Sequence, residues 1–313
     1  MDRRNFFAHT AGAATALFSR TARAATNMKT YEFTQVDVFT SRRLEGNPLA
    51  VFPSAEGLND EQMLAIAREL NHSETTFLLP STGKGDAVVR IFTPTTELPF
   101  AGHPTLGTAY VMAKSRPEKS TLLLEEKIGV IPVRIEKKPD GTYLEMRQND
   151  PTFGAKHTES ETLARALGID AAELDSRYTP QVVSTGSAFL ILPLRANRTL
   201  ERLAPDTKLL AAELKKVSAR NCYYLVTGES EIEARMFGAS FEDPATGSAA
   251  GCASAFLVEY RHQKPDTLFT MRQGRFVKRP SLIYAAASLT DGRVNNVRVG
   301  GYVAEVLRGS LML

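Results

Sequence analysis

Two stretches of the chain share one layout: a short strand, a loop, and then a helix made almost wholly of small or apolar residues. From Arg90 to Gly107 is 17 positions, and from Arg235 to Gly251 is 16. Residues 249–260 contain so few polar side chains that a helix there must be buried on every side. The repeated layout predicts two duplicated halves, each with its own buried helix. Two helix starts that arose independently remain the alternative.

The beginnings of these two helices are chemically suited to bind an anion. Gly102 stands at the first helix start, while Gly247 and Ser248 stand at the second, after Asp243-Pro244. The first turn of a helix has backbone N–H groups without intrahelical acceptors and carries the positive end of the helix dipole. The sequence therefore predicts that both helix starts bind an anionic group such as a carboxylate.

Length and composition indicate a globular chain with more than one domain. The chain has 313 residues, of which 43% are hydrophobic and 23% are charged. Strand patterns outnumber helical ones, so we expect an α+β fold in which a sheet curves around each apolar helix. A boundary near residues 130–150 divides the chain into residues 28–135 and 136–313. The final segment is expected to pack back on the first half.

The N-terminal residues 1–27 have the composition of a leader. Arg3-Arg4 forms a twin-arginine pattern, and Ala22-Arg23-Ala24 forms a cleavage site before Ala25. We therefore expect export to the periplasm; if translation starts at Met28, the protein is instead cytoplasmic. No later segment approaches about 20 apolar residues, so the mature form is expected to have no membrane span.

Charge and motif content exclude several classes of partner. The chain has 38 basic and 35 acidic residues without a long run of either, which gives no basic patch for nucleic acid. Its five histidines show no metal-ligand spacing, and no dinucleotide or P-loop motif occurs, so we predict no metal or organic cofactor. Cys222 and Cys252 are too few for a disulfide framework, and Cys252 is expected to be a free, buried thiol. A hydrolase triad of His103, Asp243 and Ser248 stays open as an alternative.

Several longer motifs follow one another along the chain from about Tyr31 to the C-terminus. They are Val36-Asp37-Val38-Phe39, Glu45-Gly46-Asn47-Pro48-Leu49-Ala50-Val51-Phe52, Ser73-Glu74-Thr75-Thr76-Phe77, Arg90-Ile91-Phe92-Thr93-Pro94, Pro99-Phe100-Ala101-Gly102-His103-Pro104-Thr105 and Glu242-Asp243-Pro244-Ala245-Thr246-Gly247-Ser248-Ala249. In this order they resemble the PhzF-like (phenazine biosynthesis-type) isomerase family. The resemblance leaves out only the predicted leader.

The resemblance implies a diaminopimelate-epimerase-like fold with two pseudo-symmetric halves, each a barrel-like mixed sheet around a central apolar helix. It implies an active site in the cleft between the halves, and a cofactor-free isomerase that acts on a small carboxylate, either amino-acid-like or cyclic. Position by position, it implies Glu45 as the general acid/base, with His103 and Asp243 binding and polarising the substrate. Backbone N–H groups of the two helix starts would hold the carboxylate, around Gly102, Gly247 and Ser248.

Two other functions stay open on the same fold. Related epimerases place a cysteine at each helix start, where this chain has Ala101 and Ala245, so thiol-based racemisation is disfavoured. Racemisation through Glu45 and another group is not disfavoured. A protein that binds a carboxylate without turnover is the second alternative. We expect a small-molecule carboxylate as the partner and a homodimer as the assembly.

Overall fold

Strands dominate the part of the chain that the structure, a computed structural model, describes: residues 28–228, 231–238 and 242–313. The predicted leader lies outside the described residues. The strands are β1 (Thr30–Val38), β2 (Asn47–Phe52), β3 (Glu74–Leu79), β4 (Ala87–Phe92), β5 (Glu97–Leu98), β6 (Thr121–Glu126), β7 (Gly129–Lys138), β8 (Gly141–Arg147), β9 (Thr152–Lys156), β10 (Gln181–Ser184), β11 (Ala188–Leu194), β12 (Asn221–Thr227), β13 (Glu231–Met236), β14 (Phe269–Gln273), β15 (Ser281–Thr290) and β16 (Arg293–Met312). The α-helices are α1 (Asp60–Leu70), α2 (Gly102–Ser115), α3 (Ser160–Leu167), α4 (Asn197–Arg202), α5 (Thr207–Lys216) and α6 (Gly247–Glu259).

These strands join in one mixed sheet. Its order is β1-β2-β3-β4-β6-β7-β8-β16-β15-β14-β13-β12-β11-β10-β9, and β5 pairs with β4. The 20-residue strand β16 pairs antiparallel with β8, with β15 and, at its far end, with β1. The path from β1 through β8 and β16 therefore closes into a ring. The predicted α+β architecture, a large mixed sheet with few helices, is confirmed.

Helices α2 and α6 are the two apolar helices that the sequence predicts. α2 contacts the strands of the closed ring, namely β1, β2, β3, β4, β6, β7, β8 and β16. In α6 every residue from Gly247 to Val258 is buried, against β10, β11, β15 and β16. Burial of apolar surface contributes roughly 25 cal/mol per Å². A helix without a polar face is therefore stabilised only where strands cover it, as they do here.

Residues 197–216 form two helices, α4 and α5, because Pro205 lacks the N–H that would continue a helix between them. Asp206 then caps α5 by accepting hydrogen bonds from the N–H groups of Lys208 and Leu209. The domain boundary expected between residues 135 and 136 falls inside β7. The last strand, β16, continues to Met312 because its second half pairs with β1.

A buried acid, Glu126, lies beside the first turn of α2. The Thr105 hydroxyl lies 2.7 Å from the Ala101 carbonyl oxygen and 2.6 Å from Oε1 of Glu126. A hydroxyl has one hydrogen, so when Thr105 donates to Ala101, Glu126 must carry a proton to donate back. Burial raises the pKa of Glu126 to about 8, which agrees with a protonated side chain.

We expect the free energy of unfolding to fall between about pH 5 and about pH 8, because in this range Glu126 loses its proton in the unfolded chain but keeps it in the folded protein. The sign follows from the raised pKa: the stabilisation is complete below the pKa of the unfolded chain and is lost through that of the folded protein. Glu126→Gln should remove on the order of a few kcal/mol of this decline. Urea unfolding across the pH range measures it, with exposed Glu69→Gln on α1 as the control. Identical pH slopes for wild type and Glu126→Gln would contradict this account.

Candidate active site

A cavity of about 80 Å³ lies where the two apolar helices begin. Its wall combines residues from both parts of the chain: Glu74, Leu98, Phe100, Ala101, Gly102 and His103 from the first, and Ser187, Phe189, Arg220, Asn221, Met236, Asp243, Thr246, Gly247 and Ser248 from the second. The structure therefore brings together all the sequence-predicted site residues except Glu45.

The beginnings of α2 and α6 contact each other directly. A Cβ atom added to Gly102 would lie 2.6 Å from the backbone nitrogen of Ser248 and 2.8 Å from the carbonyl carbon of Gly247. One added to Gly247 would lie 2.7 Å from Cζ of Phe39. Glycine is required for this approach, which leaves two positive helix ends at one small cavity. An anion in the cavity would be stabilised by both.

Asn47, the first residue of β2, connects the two parts of the site. Its Nδ2 donates to Oδ1 of Asp243 at 2.7 Å and to the carbonyl oxygen of Ala245 at 2.8 Å. The Ser73 hydroxyl donates to its Oδ1 at 3.2 Å. Both amide hydrogens of Asn47 are therefore donated to the loop before α6, and these hydrogen bonds hold that loop against β2.

His103 is held as a neutral side chain with a free acceptor nitrogen. Because the hydrogens of Asn47 are used elsewhere and Nε2 has no partner among the described residues, we assign the ring hydrogen of His103 to Nδ1, with the Pro48 backbone as its acceptor. Burial, and then the charge of His72, lowers the pKa of His103 to about 3. Its Nε2 therefore carries a lone pair. This atom has no hydrogen-bond partner among the described residues and lies 3.5 Å from Oε2 of Glu74.

Asp243 is fixed by donors to both of its carboxylate oxygens. The Thr246 hydroxyl donates to Oδ2 at 2.6 Å, while Asn47 donates to Oδ1. Gln273 on β14 holds the surrounding backbone, donating to the Asp243 carbonyl at 2.8 Å and accepting from the Thr246 N–H at 3.1 Å. Tyr223 donates to the same Gln273 oxygen at 3.0 Å. The hydrogen bonds that Thr246 and Asn47 donate to the carboxylate favour the ionised form of Asp243.

Glu74, the first residue of β3, has an unpaired carboxyl oxygen at the cavity. Its Oε2 is buried without a hydrogen-bond partner in the described part of the chain, and its side chain is 17% exposed. Burial, together with the negative charge of Asp243, raises the pKa of Glu74 to about 8. Burial also raises the pKa of Asp243, to about 6, against the lowering effect of its hydrogen bonds. Asp243 accepts hydrogen bonds at both carboxylate oxygens whereas Oε2 of Glu74 has no partner among the described residues, so we assign the proton of this pair to Glu74 and the charge to Asp243.

Glu45 does not join these residues. Its Oε1 lies 3.5 Å from Nη1 of Arg42, the Thr40 hydroxyl lies 3.4 Å from its Oε2, and it is not among the residues that line the cavity. Arg279 anchors the turn by donating to the Glu45 backbone carbonyl at 2.7 Å. The turn before β2 thus places Asn47 in the site, whereas the Glu45 carboxylate lies beside Arg42.

Other kinds of site find no support in the residues described. Neither Asp243 nor Ser248 is hydrogen-bonded to His103 there, so no hydrolase triad is formed. No group of three or more metal-ligating side chains occurs among the same residues. No helix of the described chain is long and apolar enough to span a membrane. Cys222 and Cys252 are both free and buried, which confirms the prediction for Cys252.

Analysis of the sequence alone missed Glu74 and Asn47 as site residues. The available signal was a polar start to a strand: Glu74 is followed by Thr75 and Thr76, which are fully buried. Polar side chains inside a protein need partners, and a run of them within a buried strand indicates a functional or hydrogen-bonded site. Asn47 lies within a turn motif, where its amide has the ordinary interpretation of a turn residue.

A family model described as phenazine biosynthesis-like protein (PhzC-PhzF) matches residues 36–309. The chain is 35% identical over 288 residues to the trans-2,3-dihydro-3-hydroxyanthranilate isomerase of Pseudomonas aeruginosa, covering 90% of this chain and 100% of that protein. It is 34% identical over 301 residues to an uncharacterized isomerase of Clostridium acetobutylicum, covering 91% of this chain and 99% of that one.

Solved structures show the same relationship. A predicted epimerase from Pseudomonas aeruginosa superposes with a TM-score of 0.81 at 39% identity, covering 90% of this chain and 99% of that one. A hydroxyproline epimerase from Agrobacterium vitis superposes with a TM-score of 0.63 at 12% identity, covering 91% of this chain and 93% of that one. The second similarity concerns the fold alone.

Proposed function

The chain belongs to the phenazine biosynthesis-like (PhzC-PhzF) family and is an isomerase, and we propose that it moves a proton between two carbons of a small carboxylate without a cofactor. The observation that carries the proposal is that Glu74 Oε2 and His103 Nε2, both buried and without a hydrogen-bond partner among the described residues, lie at a cavity formed by two helix starts. A proton shift needs one group that takes and returns a proton, and fixed donors for the charge that develops. The cavity supplies both.

Glu74, rather than Glu45, is the general acid/base in this proposal. The ionised fraction of Glu74 takes a proton from one substrate carbon, and the carboxylic acid so formed returns a proton to another carbon as the double bond moves. The negative charge that develops between these steps lies on the substrate. Its carboxylate and this charge are held by the N–H groups of the helix starts, around Gly102, Gly247 and Ser248.

His103 and Asp243 orient the substrate in this scheme. Neutral His103 offers Nε2 as an acceptor, suited to a substrate hydroxyl or amino group beside the reacting carbons. Ionised Asp243 keeps Glu74 protonated at rest, because two adjacent charged carboxylates would repel each other. Removing either group is therefore expected to affect binding as well as rate.

We also infer that the fold is pseudo-symmetric, with one half curved around α2 and the other around α6. Arg90 forms a bidentate ion pair with Glu97, with Nε–Oε1 and Nη2–Oε2 distances of 2.8 and 2.7 Å. Arg235 forms the same kind of pair with Glu242, with the corresponding distances of 2.9 and 2.6 Å. Each arginine precedes its glutamate by seven positions (90 to 97, 235 to 242) and the helix-start glycine by twelve (90 to 102, 235 to 247). This match supports a duplication.

Location and assembly are further proposals. Arg3-Arg4 and the cleavage pattern before Ala25 support export to the periplasm; a start at Met28 would make the protein cytoplasmic. N-terminal sequencing of the native protein distinguishes the two locations: a start at Ala25 indicates export, and a start at Met28 indicates the cytoplasm. The proposed assembly is a homodimer, with a small carboxylate as ligand and no nucleic-acid partner.

The function is tested by incubating the protein in D₂O with amino-acid-like and cyclic unsaturated carboxylates and following their NMR spectra. We expect at least one compound to isomerise with movement of its double bond and to gain deuterium at a reacting carbon. Deuterium at a stereocentre with inversion and no bond shift would favour the racemase alternative. If compounds bind but show neither deuterium exchange nor isomerisation, the protein is a carboxylate-binding protein without turnover.

A further inference from the structure

Among the described residues that line the cavity, one, Arg220, has a positively charged side chain. It lies between α5 and β12, and its backbone N–H donates to the Ala188 carbonyl at 3.0 Å. Arg220 is exposed, and none of the ion pairs formed by the described residues includes it. Ser187 and Asn221, at the starts of β11 and β12, line the cavity with it and offer hydrogen-bonding groups.

The charge of Arg220 acts inside the site. Arg220 and Glu74 line the same cavity, and the Arg220 charge lowers the pKa of Glu74 against the larger effects of burial and of Asp243. The helix starts at Gly102 and Gly247 form a second positive region in the same cavity. A ligand with one carboxylate can satisfy only one of these two regions.

We propose that Arg220 makes the site selective for dicarboxylates, with one carboxylate at the helix starts and the second paired with the Arg220 guanidinium. Arginine presents a planar set of donors that fits a carboxylate with two hydrogen bonds. Leu98, Phe189 and Met236 also line the cavity and give the carbon atoms between the two carboxylates an apolar contact surface. This inference rests on the proposed carboxylate chemistry and specifies its substrate class.

Calorimetric titration of malonate, succinate and glutarate, each compared with its monoamide of the same shape, tests the selectivity. The wild type should bind at least one diacid about 10-fold or more tightly than its monoamide. Arg220→Met should lose that preference while binding the monoamide with an unchanged Kd, and Arg220→Lys should keep part of it. Lys215→Met removes a positive charge from α5 that does not line this cavity, and should keep the full preference.

Equal affinities for diacid and monoamide in the wild type, or no binding of any of the three diacids, would overturn the proposal. A preference that survives in Arg220→Met would also overturn it. The proposed function can fail independently of this inference, because the Glu74→Gln variant tests the acid/base role while keeping Arg220 for diacid binding. If Glu74→Gln keeps full turnover, the acid/base assignment fails while the diacid preference stands.

Discussion

Replacing Glu74 with glutamine is expected to abolish turnover while leaving the fold and carboxylate binding intact. Glutamine has nearly the same shape, and Oε2 of Glu74 makes no hydrogen bond in the described structure that the change would break. An amide can neither take nor return a proton, however, and losing general acid–base catalysis typically costs roughly 10²–10⁴ in rate. Steady-state turnover and deuterium uptake in D₂O, with the substrate found in the NMR screen, measure the effect.

Glu45→Gln is the matched control for this experiment. The family resemblance gives the acid/base role to Glu45, whereas the structure sets its carboxylate beside Arg42 and outside the cavity lining. We therefore expect Glu45→Gln to keep near wild-type turnover and the wild-type Tm. Because burial raises the pKa of Glu74 as it does that of Glu126, Glu74→Gln should have a Tm at neutral pH no lower than that of the wild type. An active Glu74→Gln together with an inactive Glu45→Gln would return the role to Glu45.

The two buried helices were predictable because their beginnings carry glycine and their sides carry almost no polar residue. Gly102 and Gly247 do begin α2 and α6. The direct contact between these beginnings was less accessible to sequence analysis, because it joins residues far apart along the chain. For the ring closed by β16, the sequence predicts only that the final segment packs on the first half. The register in which β16 pairs with β1 is a long-range feature that local strand propensity does not specify.

The proposal of Glu74 rather than Glu45 as the acid/base rests on tertiary structure. Both glutamates stand near the beginning of a strand and next to small or polar residues, so local pattern gives them the same turn or strand-end interpretation. What separates them is the parallel pairing of β2 with β3, which sets Leu49 opposite Glu74 and extends β3 into the interior. Burial then raises the pKa of Glu74, an effect that depends on surroundings rather than on sequence neighbours.

Asp243→Asn is expected to lower turnover by roughly 10²-fold or more, since it removes a fixed charge from the site. It should also change the pH dependence in a defined direction. The charge of Asp243 contributes to the raised pKa of Glu74, so its removal must lower that pKa. The proposed first step uses ionised Glu74, so wild-type turnover should rise with pH up to about pH 8. The residual turnover of Asp243→Asn should reach its plateau at a lower pH.

The direction of this shift separates a charge effect from damage to the fold. A variant that only loosened the loop around Thr246 would lose turnover at every pH and leave the position of the plateau unchanged. Asp175→Asn is the control: Asp175 is also buried, but it accepts a 2.6 Å hydrogen bond from Arg177 and does not line the cavity. This control should keep both the rate and the profile of the wild type. A plateau that stays in place or moves to higher pH in Asp243→Asn would refute the coupling, because removing a neighbouring negative charge cannot make Glu74 harder to ionise.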